Sequence, residues 1–181
     1  MAIAAGRQRT VPEDDDLIGG HNVAGNAVCD GGVMIDLSPM KGIEIDPEAR
    51  TAGVEPGVVW GELDAATQVH GLATTGGVVA STGVAGLTLG GGLGWLQGRH
   101  GLAADNLLSA EVATSDGGLV EASAEENPDL FWGLRGGGGN FGVVTRFKFK
   151  LNPLTAFTGG MLVLPATAQT NDGFLAAAHA A

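Results

Sequence analysis

One histidine stands apart from the other side chains able to do chemistry at neutral pH. His21 lies in Leu17–Gly25, LIGGHNVAG, among residues too small to bury an imidazole. A neutral imidazole is a nucleophile, a proton shuttle and a metal ligand, and a bare loop leaves all three roles open. Metal binding is the weakest of them. The four histidines, His21, His70, His100 and His179, show no HxxxH spacing, and the single cysteine, Cys29, can form neither a CxxC pair nor an internal disulfide. Cys29 therefore reads as a small apolar residue in a reducing setting, which points to the cytoplasm.

Glycine is the second chemical signal. The chain has 32 glycines in 181 residues, with no collagen period, and they concentrate near residues 19–32, 76–98 and 136–142. Glycine-rich turns leave backbone N–H groups free to form anion nests, and the missing Cβ lets a flat ring or a diphosphate lie against the main chain. Three such segments can wrap one long ligand; the plainer alternative is a set of tight turns in a small β-rich fold. GGGGNFG carries GxGxxG at Gly137, Gly139 and Gly142, but a helix is expected before it and a strand after it, the reverse of a Rossmann dinucleotide turn. No GxxxxGK is present, so a P-loop is unsupported. GLTLG, Gly86–Gly90, has Thr88 where a hydrolase elbow carries serine, and no strand leads into it.

The elements that must position these residues follow from periodicity. GGVMIDLS and GIEIDPEARTAGVEPG carry short β-branched runs broken by Gly, Pro and Asp-Pro, enough for two or three strands. In VVWGELDAATQVHG, Trp60, Leu63, Ala66 and His70 recur at helical spacing up to Gly71, which predicts a helix with His70 in its last turn. LLSAEVATSDGGLVEAS predicts a hairpin around Ser-Asp-Gly-Gly. NPDLFWGLRG predicts a short helix with Asn127 as N-cap, Pro128 at the first position and Leu130 and Leu134 on one face. From Val143 to Leu151, apolar Val143, Thr145, Phe147, Phe149 and Leu151 alternate with Val144, Arg146, Lys148 and Lys150, the pattern of a half-buried strand. A further strand is expected around Met161–Leu164, and no internal repeat is found. Hairpins mixed with helices predict an α+β fold with a mixed, largely antiparallel sheet and flanking helices, rather than a doubly wound parallel sheet.

Three stretches taken together resemble one family. GGHNVAGNAVCDGGVMIDLSPMKGIEID, TGVAGLTLGGGLGWLQGRHGLAADN and NPDLFWGLRGGGGNFGVVTRFKFKL occur in the order found in FAD-linked oxidases with the PCMH-type FAD-binding domain. These form the vanillyl-alcohol oxidase and p-cresol methylhydroxylase superfamily, and the likeness is nearest its berberine bridge enzyme and hydroxynicotine oxidase branch. The resemblance implies FAD as cofactor, with His21 in the place of the histidine bonded to the flavin 8α carbon. Val79 stands where bicovalent relatives carry a second, cysteine tether, so a single link is implied. By the same resemblance Gly19, Gly20, Asn22 and Gly25 cradle the pyrophosphate, and Gly83, Gly86, Leu87, Gly90 and Gly91 line the flavin and its ribityl chain. Asn106, Val112 and Val143 approach from the sheet side.

The resemblance also has gaps. Leu17 and Ile18 stand where arginine and another glycine usually precede GGH, and His100 stands where relatives often show tyrosine. The implied organisation is a mobile tail over residues 1–16, a partial FAD-binding domain over 17–153 and the start of a missing substrate domain over 154–181, with truncation at both ends. No catalytic residue is therefore assigned. The implied function is oxidoreduction, or the FAD-binding part of it: hydride transfer from a small-molecule substrate C–H to flavin N5, with reoxidation by O2. The alternative is a truncated, inactive fragment that binds FAD weakly or not at all, and a nicotinamide-dependent dehydrogenase ranks last. A formal charge of −11 argues against nucleic acid and anionic membranes, and no apolar run approaches the ~20 residues that span a bilayer.

Overall fold

The computed structural model describes residues 20–22, 35–154 and 156. Their frame is a five-stranded sheet in the order β1-β2-β6-β4-β5, with every pairing antiparallel. The strands are β1 (Ile43–Asp46), β2 (Thr51–Val54), β4 (Leu107–Ala113), β5 (Leu119–Ser123) and β6 (Val143–Lys150). A second, two-stranded sheet pairs β3 (Leu72–Ala73) with β7 (Asn152–Pro153). This is the α+β, antiparallel arrangement that the sequence predicts.

Alternation explains β6 over most of its length. Phe147 and Phe149 are fully buried while Arg146, Lys148 and Lys150 face outward. At its start both Val143 and Val144 are buried, a departure from strict alternation. The cause is a bulge: the register against β4 shifts between Glu111 and Val112, which drops Thr145 out of the ladder. Thr145 Oγ1 donates to the Glu111 carboxylate at 2.5 Å. The β4–β5 turn closes through Thr114 N–H to the Gly118 carbonyl (2.9 Å), with Gly117 at φ +84°.

Helix α1 (Trp60–Gln68) buries Trp60, Leu63 and Thr67 on one face. Trp60 meets Phe149 edge-on, with ring centroids 6.0 Å apart. The helix ends two residues earlier than the spacing suggests, so exposed His70 lies in the turn that leads to Gly71 at φ +64°. Its first turn is held by Glu62, whose carboxylate accepts from Val59 N–H (2.8 Å) and Lys41 Nζ (2.9 Å). Partial burial pushes the Glu62 carboxyl up, but these two donors outweigh it and hold the group below its ordinary value.

Helix α4 (Pro128–Leu134) starts at the predicted Pro128 and buries Phe131 and Leu134. Asn127 does not cap it by side chain. It takes a left-handed conformation (φ +48°), and its amide donates back to the Glu121 carbonyl at 2.7 Å. Residues 31–34 of GGVMIDLS and the strand expected near Met161–Leu164 lie outside the described residues, as do residues 1–19; residues 35–38 form no strand.

Candidate functional site

The second glycine segment is where sequence patterning was weakest, and it contains two short helices: α2 (Val84–Leu89) and α3 (Gln97–His100). Part of its glycine content serves packing. A Cβ at Gly76 would lie 2.5 Å from the Trp60 ring, and one at Gly94 would collide with the Gly76 carbonyl. After α2 the chain turns through Gly91 (φ +102°) and Gly92 (φ +82°), conformations that side chains resist.

The start of α2 is pinned to the start of α1. Trp60 N–H donates to the Thr82 carbonyl (3.0 Å), Gly61 N–H to Ala80 (2.9 Å) and Val84 N–H to Val58 (2.9 Å). Val84 and Thr88 of α2 are fully buried, and Ala85, Leu87 and Leu89 pack partly against the core. Gly86 and Gly90 are exposed, so the outward side of the helix is bare backbone. A Cβ on Gly86 would meet nothing within 4 Å.

The two other glycine segments reach opposite ends of this helix. His21 Nε2 lies 2.9 Å from Ser81 Oγ, two residues ahead of the α2 N-cap Gly83. At the other end, Gly138 N–H donates to the Leu89 carbonyl at 2.8 Å. The six residues of α2, at about 1.5 Å each, give a helix roughly 9 Å long between these two contacts. A strip of exposed main chain with a histidine at its head has room for a planar ring, since among the described residues nothing lies within 4 Å of a Cβ built on Gly86.

The expected site residues divide by position. Gly20, His21 and Asn22 are exposed, Gly83 and Leu87 are half-buried, Gly91 is buried, and Gly19 and Gly25 lie outside the described residues. Asn106 is 3% exposed and its amide is committed internally. Nδ2 donates to the His100 and Leu102 carbonyls at 2.9 and 2.8 Å, and Oδ1 accepts from Asn152 Nδ2 at 3.1 Å. This ties the end of the glycine segment to β7. Val112 and Val143 sit on β4 and β6 with their side chains in or at the edge of the core.

Ser81 was missed by sequence reasoning because its contact spans 60 residues and no local pattern marks it. A separate cavity of about 410 Å³ is lined by Asp64, Gln68, Thr74, Gly77, Trp95 and Leu154, among others, and does not include His21, Gly86 or Gly90. Burial there pushes the Asp64 carboxyl above its ordinary value. Among the described residues no group of three or more His, Cys, Asp or Glu is placed to hold a metal ion, and no helix is long and apolar enough to cross a membrane.

A family model described as FAD binding domain matches residues 17–123. The FAD-linked oxidoreductase pgmH of Aspergillus terreus is 48% identical over 121 residues, which cover 67% of this chain and 25% of that protein. Among solved structures, 6-hydroxy-D-nicotine oxidase from Arthrobacter nicotinovorans aligns with a TM-score of 0.73 at 42% identity, covering 75% of this chain and 30% of that one. A carbohydrate oxidase from Microdochium nivale aligns with a TM-score of 0.71 at 37% identity, covering 75% and 29%. The chain thus spans between a quarter and a third of these relatives' length. A match over more than half of its residues, on a fold shared with these oxidases, makes this chain a member of the FAD binding domain family, with FAD as its cofactor.

Proposed function

We propose that this chain is the cofactor-holding part of a flavin-dependent oxidoreductase, in which FAD lies along the bare side of α2 and His21 is bonded to the flavin 8α carbon. The observation that carries this reading is the meeting of three glycine segments at one short helix, with His21 beside Ser81 at its head. When bound, the isoalloxazine supplies hydride chemistry, accepting two electrons from a substrate C–H and yielding them to O2.

The contribution of the chain itself is placement. Gly86 and Gly90 offer main chain where any side chain would hold a ring off, half-buried Gly83 and Leu87 flank Gly86, and buried Gly91 continues the backbone beyond Gly90. Gly19, Gly20, Asn22 and Gly25 belong to the segment read as the pyrophosphate cradle. Asn106 acts from beneath, by fixing the segment from His100 to Leu107 against β7. Val112 and Val143 contribute the sheet against which this surface is built. The relatives named for hydroxynicotine and carbohydrate oxidation support a small-molecule substrate with an oxidisable C–H.

The test is a spectrum and a mass. The chain purified with FAD should be yellow, and after acid precipitation its intact mass should include one FAD. Substitution His21→Ala should release the flavin on denaturation while leaving non-covalent binding measurable. Flavin that stays attached in His21→Ala would remove His21 from the tether, and a colourless chain in excess FAD would overturn the reading.

A further inference from the structure

We infer that the cavity of about 410 Å³ beside α1 is a second binding site, separate from the flavin surface, for a small organic cation: an ammonium group carried on an apolar ring. None of His21, Gly86 and Gly90 lines it. Its volume falls within the roughly 300–1,000 Å³ of small-molecule sites.

The observation that points to a ligand is Thr74. Its side chain lines the cavity and the residue is 3% exposed, yet its Oγ1 has no hydrogen-bond partner. A buried hydroxyl left in that state is costly, and a polar group brought in by a ligand would offset the cost. The other lining groups select the class. Asp64 and Gln68 stand four residues apart on α1, on one face of the helix, and offer a carboxylate and an amide. Among the described residues no Lys, Arg or His lines the cavity, so an anion would find a like charge and no counter-charge. Burial alone accounts for the raised Asp64 carboxyl, with no cation beside it to offset the loss of water, and a bound ammonium supplies that complement. Trp95 is 71% exposed and presents an indole ring, whose face attracts a cation. Leu72 and Leu154 give apolar contact to the ring that carries the charge.

The fold holds these groups in place. Leu154 N–H donates to the Gly71 carbonyl at 2.8 Å, which fixes the end of β7 to the turn after α1. Gly94 lies so close to the Gly76 carbonyl that a Cβ there would collide, so the chain at Trp95 is seated against the chain that follows Thr74.

The test titrates the full chain with benzylammonium by calorimetry, with and without saturating FAD, while NMR follows the indole N–H of Trp95. Benzyl alcohol, benzoate and glucose are the controls. Benzylammonium should bind with a Kd of about 1 mM or tighter, benzyl alcohol about tenfold more weakly and benzoate not at all, and FAD should leave these affinities unchanged. Asp64→Asn should weaken benzylammonium binding by about tenfold, Thr74→Val by about fivefold and Trp95→Ala by about two- to fivefold. Melting temperatures show that each variant is folded; should Thr74→Val not fold, Asp64→Asn and Trp95→Ala carry the test. No binding of benzylammonium, equal affinity for benzyl alcohol or benzoate, or an unchanged affinity in folded Asp64→Asn would overturn the inference. Glucose bound more tightly than benzylammonium would overturn the cationic class, and displacement of benzylammonium by FAD would overturn a site separate from the flavin.

Discussion

At the scale of single residues, glycines that look alike in sequence do opposite work. Gly76 is filled against by the Trp60 ring, while Gly86 faces space with no atom within 4 Å. Gly76→Ala should therefore destabilise the fold by roughly 1–3 kcal/mol, the usual cost of overpacking a rigid core. Gly86→Leu should behave in the reverse way: thermal unfolding stays level or rises, because helix propensity improves by roughly 0.5–1 kcal/mol, yet FAD binding weakens by about tenfold or more, on the order of 1.4 kcal/mol. Calorimetry and flavin titration of the two variants separate packing from binding. Asp64 gives a pH test. Its carboxyl is raised above the ordinary value of 3.8 by burial, so the charged form opposes folding. The folded chain binds the proton more tightly than the unfolded one, and the contribution of Asp64 to stability falls as pH rises from 3.8 through the folded value. Asp64→Asn should raise the melting temperature at pH 7 only slightly, because Asp64 is solvent-exposed, with the gain shrinking as the pH approaches 3.8.

At the scale of elements, the sequence was readable wherever one face is buried and the other wet. The alternation of β6, the SDGG hairpin of β4 and β5, and the Trp60, Leu63 spacing of α1 all appear in the fold. The misreadings have local causes. The β6 bulge comes from pairing with β4 and leaves no mark in the alternation, and Asn127 spends its amide on Glu121 instead of on the helix it precedes. Helix α2 was hidden because it is only six residues long and five of them, Val84, Ala85, Leu87, Thr88 and Leu89, are buried or pack partly against the core, which leaves only Gly86 exposed and no polar face to show a period. Glu62 is the element-level test, since it links Lys41 to the first turn of α1. Its folded carboxyl lies below the ordinary value of 4.5, so the stability it contributes is present above 4.5 and is lost as pH falls through the folded value. Glu62→Gln should lower the melting temperature at pH 7 and match wild type in strong acid. The effect should be small, because both partners are substantially solvent-exposed and the pair is screened.

At the scale of the whole molecule, the described residues form a five-stranded antiparallel sheet and a smaller two-stranded one, with a glycine-built surface along α2. Family and cofactor were legible from the order of three motifs, whereas the meeting of His21 with Ser81 and of Gly138 with Leu89 required the fold, because both contacts join distant segments. The central claim is that main chain, more than charged side chains, grips the flavin. A crystal structure of this chain grown with FAD tests it most directly. The flavin ring should lie in van der Waals contact with the backbone at Gly86 and Gly90, with its 8α carbon bonded to His21. A flavin seated instead in the cavity of Asp64, Gln68 and Trp95, with Gly86 covered by protein atoms, would contradict it.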